Sequence, residues 1–172
     1  MSRCSKMVDV GRRQFLRGSA LAAAGAAATT FHSPAKAAPG KARLDYPSNR
    51  LASLSDLKVN EPLDVAYPDE DAPGVLLKLG KKVEGGVGPD GDIVGFSTVC
   101  PHKGFLMTYL PGDRTLNCPG HFSRFDCEAG GQQIWGHATQ NLPQYVLRID
   151  AAGGIYAEGL DELLHGRLSN VL

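Results

Sequence analysis

The run Ile93-Val94-Gly95-Phe96-Ser97-Thr98-Val99 leads directly into Cys100-Pro101-His102-Lys103-Gly104, and after 15 intervening residues beyond His102 the chain reads Cys118-Pro119-Gly120-His121. The first seven residues are mostly apolar or β-branched over the length of a strand. Pro and Gly then punctuate both cysteine and histidine segments, turning the backbone tightly and ending any regular element. Upstream, Val75-Leu76-Leu77-Lys78-Leu79 reads as another buried strand, and the intervening Gly85-Gly86-Val87-Gly88-Pro89-Asp90-Gly91 is dense in turn residues. The two runs predict a hairpin. Downstream, Gln144 to Asp150, the turn Ala151-Ala152-Gly153-Gly154 and Ile155-Tyr156-Ala157 predict a second hairpin with alternating faces. Ser123-Arg124-Phe125 is strand-like. Helical signal is sparse: a short turn over Leu51 to Leu57, and the spacing of leucines from Leu160 to Leu168. Residues 38–47 read as an extended, loosely attached lead-in, and Asp69-Glu70-Asp71 as a solvated loop. With 21 Gly and 11 Pro, the chain favours many turns between short elements, so the expectation is all-β.

The chemistry is concentrated between the hairpins, from Cys100 to Gly136. Cys100, His102, Cys118 and His121 make a complete four-donor metal set arranged C-x-H and C-x-x-H. A structural zinc ion is one reading, although its usual patterns group the cysteines in one short motif and the histidines in another. Here each segment supplies one of each. That division suits a 2Fe-2S cluster in which one iron takes two thiolates and the other two imidazoles.

Composition and charge bound the rest. The 172 residues are 42% hydrophobic and 21% charged, which places the chain among soluble globular proteins. Equal numbers of basic and acidic side chains, 18 each, argue against a nucleic-acid binder working by phosphate neutralisation. The balance is uneven along the chain, however. Residues 1–37 carry Arg3, Lys6, Arg12, Arg13, Arg17 and Lys36 against Asp9 alone, leaving 12 bases against 17 acids beyond them. A basic start, the apolar run Gly18 to Phe31 and Ala35-Lys36-Ala37 make up an export signal with a small-residue cleavage site. Within it, Gly11-Arg12-Arg13-Gln14-Phe15-Leu16-Arg17 resembles the twin-arginine signal. The apolar run is 14 residues, short of the roughly 20 that span a bilayer. The expectation is residues 1–37 as signal, residues 38–172 as the functional domain, and a periplasmic location, with membrane association if the signal is retained. Beyond the signal only Cys100, Cys118 and Cys127 remain, an odd number that argues against a disulfide scaffold in an oxidising compartment.

From Pro73 to Glu158 the sequence resembles the Rieske iron-sulfur proteins. The resemblance implies an antiparallel β-sandwich with a small cluster-binding subdomain of two loops, at about 97–140. It further implies that Cys100 and Cys118 hold the inner iron, while His102 and His121 hold the outer iron at the tip of the protein. Within the family the chain is similar to the small-subunit branch of arsenite oxidases. That similarity rests on the twin-arginine signal, Gly91 to Val99, His121-Phe122-Ser123-Arg124-Phe125-Asp126, and Ala138-Thr139-Gln140-Asn141-Leu142-Pro143. The branch implies a heterodimer in which a large molybdenum-containing catalytic subunit feeds single electrons to this chain, with a soluble cytochrome c or cupredoxin as acceptor. The chain is then an oxidoreductase component that performs no substrate chemistry itself. The alternative is the Rieske subunit of a quinol-oxidising cytochrome bc-type complex. Against a third reading, a zinc-stabilised binding module, stands the way the donors are divided.

Two departures separate the chain from the quinol-oxidising branch. Phe105 and Gly120 stand where those proteins have a pair of disulfide-forming cysteines. Ser123 matches the position that supplies a hydroxyl to the cluster in the family, whereas Phe125 stands where a second hydroxyl, from tyrosine, is found. In addition, Gly136-His137-Ala138-Thr139 replaces a proline-rich covering loop. Of the remaining residues, His137 is expected to be a structural loop histidine and Cys127 a buried unpaired thiol. Trp135 is expected to pack, His165 to be exposed on a terminal helix, and Lys103 and Tyr109 to shape the first loop.

Overall fold

A computed structural model describes residues 45–171. The expected export signal lies outside the described residues, and those described fall in one compact unit, Leu44–Leu172. Strand β1 (Asn49–Ser53) is followed by a single 3-10 turn, Leu54–Asp56, and then by β2 (Pro62–Ala66), β3 (Pro73–Lys78) and β4 (Ile93–Ser97). Four short strands come next: β5 (Thr108–Leu110), β6 (Thr115–Asn117), β7 (Arg124–Asp126) and β8 (Gln132–Trp135). The hairpin of β9 (Tyr145–Ile149) and β10 (Gly154–Leu160) completes the order. The fold is all-β and antiparallel, with sheets β1-β10-β9, β2-β3-β4 and β5-β6-β7-β8. Among the described residues no helix is long and apolar enough to cross a membrane.

The continuous apolar run of β3 has a direct cause. Val75 and Leu77 project into one core with Val94 and Phe96 of β4, while Leu76 joins Ile93 in the other. The β2-β3-β4 sheet therefore separates two cores. One is closed by Tyr67 and the β9-β10 hairpin through Tyr145, Leu147 and Ile155; the other is closed by the four-stranded sheet through Tyr109, Leu116 and Phe125. Successive side chains of a strand face opposite ways, so a strand buried on both faces needs no alternation. Each fully buried Leu, Ile or Phe contributes about 1.5–3 kcal/mol. The two cores thus hold the four-stranded sheet, and the loops it carries, against a rigid middle layer.

Three expectations change. Leu51 to Leu57 is strand as far as Ser53 and then a 3-10 turn, in which the Asp56 carboxylate accepts the Ser53 N–H at 2.8 Å. The tail is not helical: Leu160 ends β10 and residues beyond it turn. Asn170 explains the tail. Its side chain accepts the Leu164 N–H at 2.8 Å and donates to the Glu162 carbonyl at 2.8 Å and to Tyr46 Oη at 2.9 Å. These bonds compete with a helical ladder, and Gly166 adopts a left-handed φ of 79°. Of the lead-in only residues 45–47 are described, and this end is anchored, with Tyr46 stacked on Tyr67 at 6.3 Å and Tyr67 Oη donating to Pro47 O at 2.9 Å. Asp69, in the acidic loop, pairs with Arg167 at 2.5 and 2.7 Å and ties that loop to the tail.

Candidate metal centre

The first loop leaves β4 and the second joins β6 to β7. In the first, the Cys100 N–H donates to Phe105 O at 2.9 Å, the Gly104 N–H to Cys100 O at 2.8 Å, and the Met107 N–H to Thr98 O at 2.9 Å. In the second, the Cys118 N–H donates to Ser123 O at 2.9 Å. Each candidate cysteine therefore opens a closed turn. The packing of Phe105 on Gly120 ties the two turns to each other: a methyl group built on Gly120 would lie 2.9 Å from Phe105 Cδ2. No disulfide links them, and Cys100, Cys118 and Cys127 are free thiols.

The four candidate donors divide into pairs. Cys100 and Cys118 are buried, with their thiols in hydrogen-bonding reach. Burial pushes the Cys100 thiol up, opposed by the backbone N–H groups of His102 and Lys103, which point at its sulfur. His102 and His121 sit nearer the surface with ring centroids 4.8 Å apart. Desolvation, together with His121 and Lys103, holds the His102 imidazole below its ordinary pKa, so the neutral, ligating form prevails near pH 7. Its Nδ1 is buried without a hydrogen-bond partner, so its lone pair is free for a metal that the described residues do not replace with a donor.

Behind the second loop lies Ser123, fully buried. Its Oγ accepts the N–H groups of His137 at 3.1 Å and Ala138 at 3.0 Å. Both lone pairs of the hydroxyl are thereby used, which leaves its proton to donate elsewhere. Gly136 permits this approach: at its φ of 92° a Cβ would come 2.4 Å from Ser123 Cα. Phe125 is fully buried in the core beside the loops.

Other residues differ from expectation. Trp135 does not pack; it is 67% exposed because β8 is an edge strand with no layer over it. With Phe122, Asn117, Arg124 and Cys118 it lines an open cleft of about 380 Å³. The His137 backbone has the structural role foreseen, but its ring stands 5.9 Å from His102 and 6.2 Å from His121. His165 is exposed, yet its Nδ1 lies 3.1 Å from Pro101 O, so it carries the proton and donates to the first loop. The histidine directly after Gly136 was a visible signal for a third imidazole at this end of the protein. No local pattern signalled His165, which is 64 residues away from its partner. Cys127 is buried and free as expected, its thiol pushed up to about 12 by burial. Tyr109, buried and likewise pushed up to about 12, donates to Asn60 Oδ1 at 2.7 Å, while Lys103 is exposed.

Residues 49–146 match the Rieske 2Fe-2S domain family. The chain belongs to that family. Its cofactor is a Rieske-type 2Fe-2S cluster, a one-electron carrier. Among similar proteins, the iodate reductase subunit IdrB of Denitromonas iodatirespirans is 42% identical over 159 residues, covering 90% of this chain and 85% of that protein. IdrB of Pseudomonas sp. (strain SCT) is 42% identical over 127 residues, covering 72% of this chain and 66% of that protein. The soluble domain of the Rieske protein II (soxF) from Sulfolobus acidocaldarius shares the fold, with a TM-score of 0.65 at 24% identity over 72% of this chain and 82% of that one. The Rieske chemistry also fits the donor set: two buried thiols, two imidazoles nearer solvent, and an orphaned ring nitrogen.

Proposed function

We propose that this chain is the electron-transfer subunit of an arsenite oxidase, with Cys100 and Cys118 holding the inner iron of the cluster and His102 and His121 the outer. The observation that carries the electron-transfer role is the meeting of two buried thiols and two surface-facing imidazoles on loops locked together by Phe105 and Gly120. The cluster supplies storage of one electron. The chain's residues bury the thiols from water, present the imidazole edges at the surface where a redox partner approaches, and aim the Ser123 hydroxyl from behind. Electrons arrive from a large molybdenum-containing subunit that oxidises arsenite, and leave to a soluble cytochrome c or cupredoxin. The twin-arginine pattern of residues 11–17 supports maturation in the cytoplasm followed by export to the periplasm. Changing Arg12 and Arg13 together to Lys keeps the charge but removes the guanidinium pair, so the protein should accumulate in the cytoplasm; normal export by cell fractionation refutes this part of the reading.

A second reading, an iodate reductase subunit, is favoured by the 42% identity to the IdrB proteins. It reverses the electron flow. The two are separated by purifying the chain from its native host with its catalytic subunit and following the cluster spectrum. Arsenite should reduce the oxidised cluster. Oxidation of the reduced cluster by iodate, with no response to arsenite, selects the second reading; a chain that purifies with no large subunit sinks both.

A further inference from the structure

On another part of the surface an open cleft of about 410 Å³ is lined by Glu84, Asp161, Gln132, Gln133, Asn141 and Gln144 together with the backbone at Ala129 and Gly130. Three parts of the chain meet there: the turn-rich connection between β3 and β4, the segment from the β7–β8 turn to the start of β9, and the residue just after β10. Neither Glu84 nor Asp161 is ion-paired among the described residues, and no Lys or Arg of the described residues lines the cleft.

Gln144 gives the cleft its direction. The residue is 9% exposed, and its Nε2 donates to Glu84 O at 3.2 Å. That bond fixes which end of the amide is which, because a carbonyl can only accept. The opposite atom, Oε1, has no donor among the described residues and looks toward Gly130, where a built Cβ would lie 3.4 Å away. The backbone around it is locked: the Gln144 N–H donates to Asp161 Oδ1 at 2.7 Å and the Asp161 N–H to Gln144 O at 3.2 Å. On the far wall Asn141 Oδ1 accepts the Gln133 N–H at 3.1 Å. Two carboxylates and the free amide oxygen of a side chain that is itself more than nine-tenths buried thus face one space as acceptors.

We propose that this cleft is a socket for a cationic side chain, an arginine or lysine, presented by the catalytic partner subunit. Glu84 and Asp161 supply the charge, and Gln144 Oε1 accepts a hydrogen bond that orients the donor. Charge complementarity points to such an occupant, since beyond residue 37 the chain carries 17 acids against 12 bases. Burial also pushes the Asp161 carboxyl up, a desolvation that an incoming cation offsets. A bare divalent ion fits less well. It needs six or more oxygens at about 2.0–2.6 Å, whereas this cleft is wide and open and brings only two carboxylates.

The inference rests on the reading of this chain as one subunit of a larger oxidoreductase, and the test separates the two. Glu84→Gln and Asp161→Asn remove charge but keep acceptor oxygens, including the one Gln144 uses; unchanged thermal midpoints and cluster spectra confirm their folding. The dissociation constant of the cluster-loaded chain from its large subunit should rise at least tenfold in the double variant and several-fold in Glu84→Gln alone. Agmatine, a small guanidinium compound, should compete with wild-type association and bind the double variant at least tenfold more weakly. Association of both variants within twofold of wild type overturns the socket while leaving the subunit reading intact. Agmatine binding that the variants lose, with subunit association unchanged, overturns it as well, by showing a site for a free solute. A wild-type chain that associates with no catalytic subunit overturns the subunit reading and removes the partner with it.

Discussion

The scaffold of β1–β4, β9 and β10 satisfies most of its buried polar groups internally, while the region of β5–β8 and its loops holds two of the three buried side-chain atoms left without a hydrogen-bond partner among the described residues. In the scaffold Asp92, 1% exposed, accepts the Gly80 N–H at 3.1 Å and pairs with Lys78 at 3.3 Å. Asn170, 2% exposed, makes three hydrogen bonds. Tyr145 is the exception; its unpaired hydroxyl fills the space above Gly74, and burial keeps it protonated. In the loop region His102 Nδ1 and Arg124 Nε are buried without partners, and Phe122 stands at a φ of 59°, costly for a bulky residue. The scaffold is therefore nearly complete as a protein, whereas the loops hold the orphaned His102 nitrogen where the cluster is proposed to bind.

The largest effect expected from this division is all or none. Cys100→Ser or Cys118→Ser should abolish the cluster, because the thiolates both ligate iron and neutralise its charge. The scaffold should still fold. Iron and acid-labile sulfide analysis together with circular dichroism reads both at once. Stoichiometric cluster in either variant removes that cysteine from the ligand set; a wholly unfolded chain breaks the division between scaffold and loops.

The converse variant is Gly74→Ala. A Cβ there would lie 1.7 Å from Tyr145 Oη and 2.7 Å from the Phe96 carbonyl oxygen, so the buried tyrosine or the strand must shift. Overpacking of this kind costs about 3 kcal/mol, or roughly 10 °C or more in Tm for a domain of this size. The midpoint potential should not move. A changed potential at unchanged Tm means that β3 governs the loops directly.

Sequence legibility divides along the same line. The β3-β4 and β9-β10 hairpins were readable because strands buried on both faces are continuous apolar runs, and the β9-β10 turn is marked by Gly153-Gly154. The donor set was readable because its members come in two short segments. What escaped depends on distant partners. The leucine spacing of the tail matched a helix, but Asn170 takes the hydrogen bonds and Leu164 packs instead into the core of Tyr67 and Ile155. Trp135 looked like a packing residue because only the sheet order reveals β8 as an edge. His165 reaches Pro101 O through a fold that brings the tail back across the first loop.

A smaller effect distinguishes Cys127 from the candidate ligands. In the folded state its thiol is pushed up to about 12, while in the unfolded chain it ionises near 9.0. The sign follows from linkage: its contribution is fully present below pH 9 and is lost as pH rises from 9 toward 12, because only the unfolded chain releases the proton there. The loss approaches about 1.4 kcal/mol per pH unit within that window. Tyr109, raised from 10.0 to about 12, adds to the slope above pH 10. Urea unfolding between pH 8 and 11 should show this decline, and Cys127→Ala should flatten it by about one proton while lowering the overall stability through the cavity it leaves. An unaltered slope in Cys127→Ala means that the thiol is accessible in the native state, and iodoacetamide labelling would then modify it without denaturant.

The smallest effect tests whether the loops are completed from outside at Ser123. Its Oγ already accepts two backbone N–H groups, which leaves its proton to donate, and in the proposed reading that proton goes to the cluster sulfurs. A donor to those sulfurs stabilises the reduced, more negative cluster over the oxidised one and raises the potential. Hydrogen bonds to charged groups are worth roughly 1.5–3 kcal/mol. If about half of that is differential, a one-electron couple shifts by about 30–65 mV, since about 59 mV corresponds to 1.4 kcal/mol. Ser123→Ala should lower the midpoint by that amount in protein-film voltammetry. It also orphans the N–H groups of His137 and Ala138, so the 136–138 segment should exchange amide hydrogens faster, an effect separable from the potential. Phe125→Tyr is the complement: its ring is fully buried, so a new hydroxyl has room only if it emerges toward the cluster, where it should raise the potential. An unshifted potential in Ser123→Ala, measured with an intact cluster spectrum, places the hydroxyl proton elsewhere and leaves Ser123 as an anchor for the His137 loop alone.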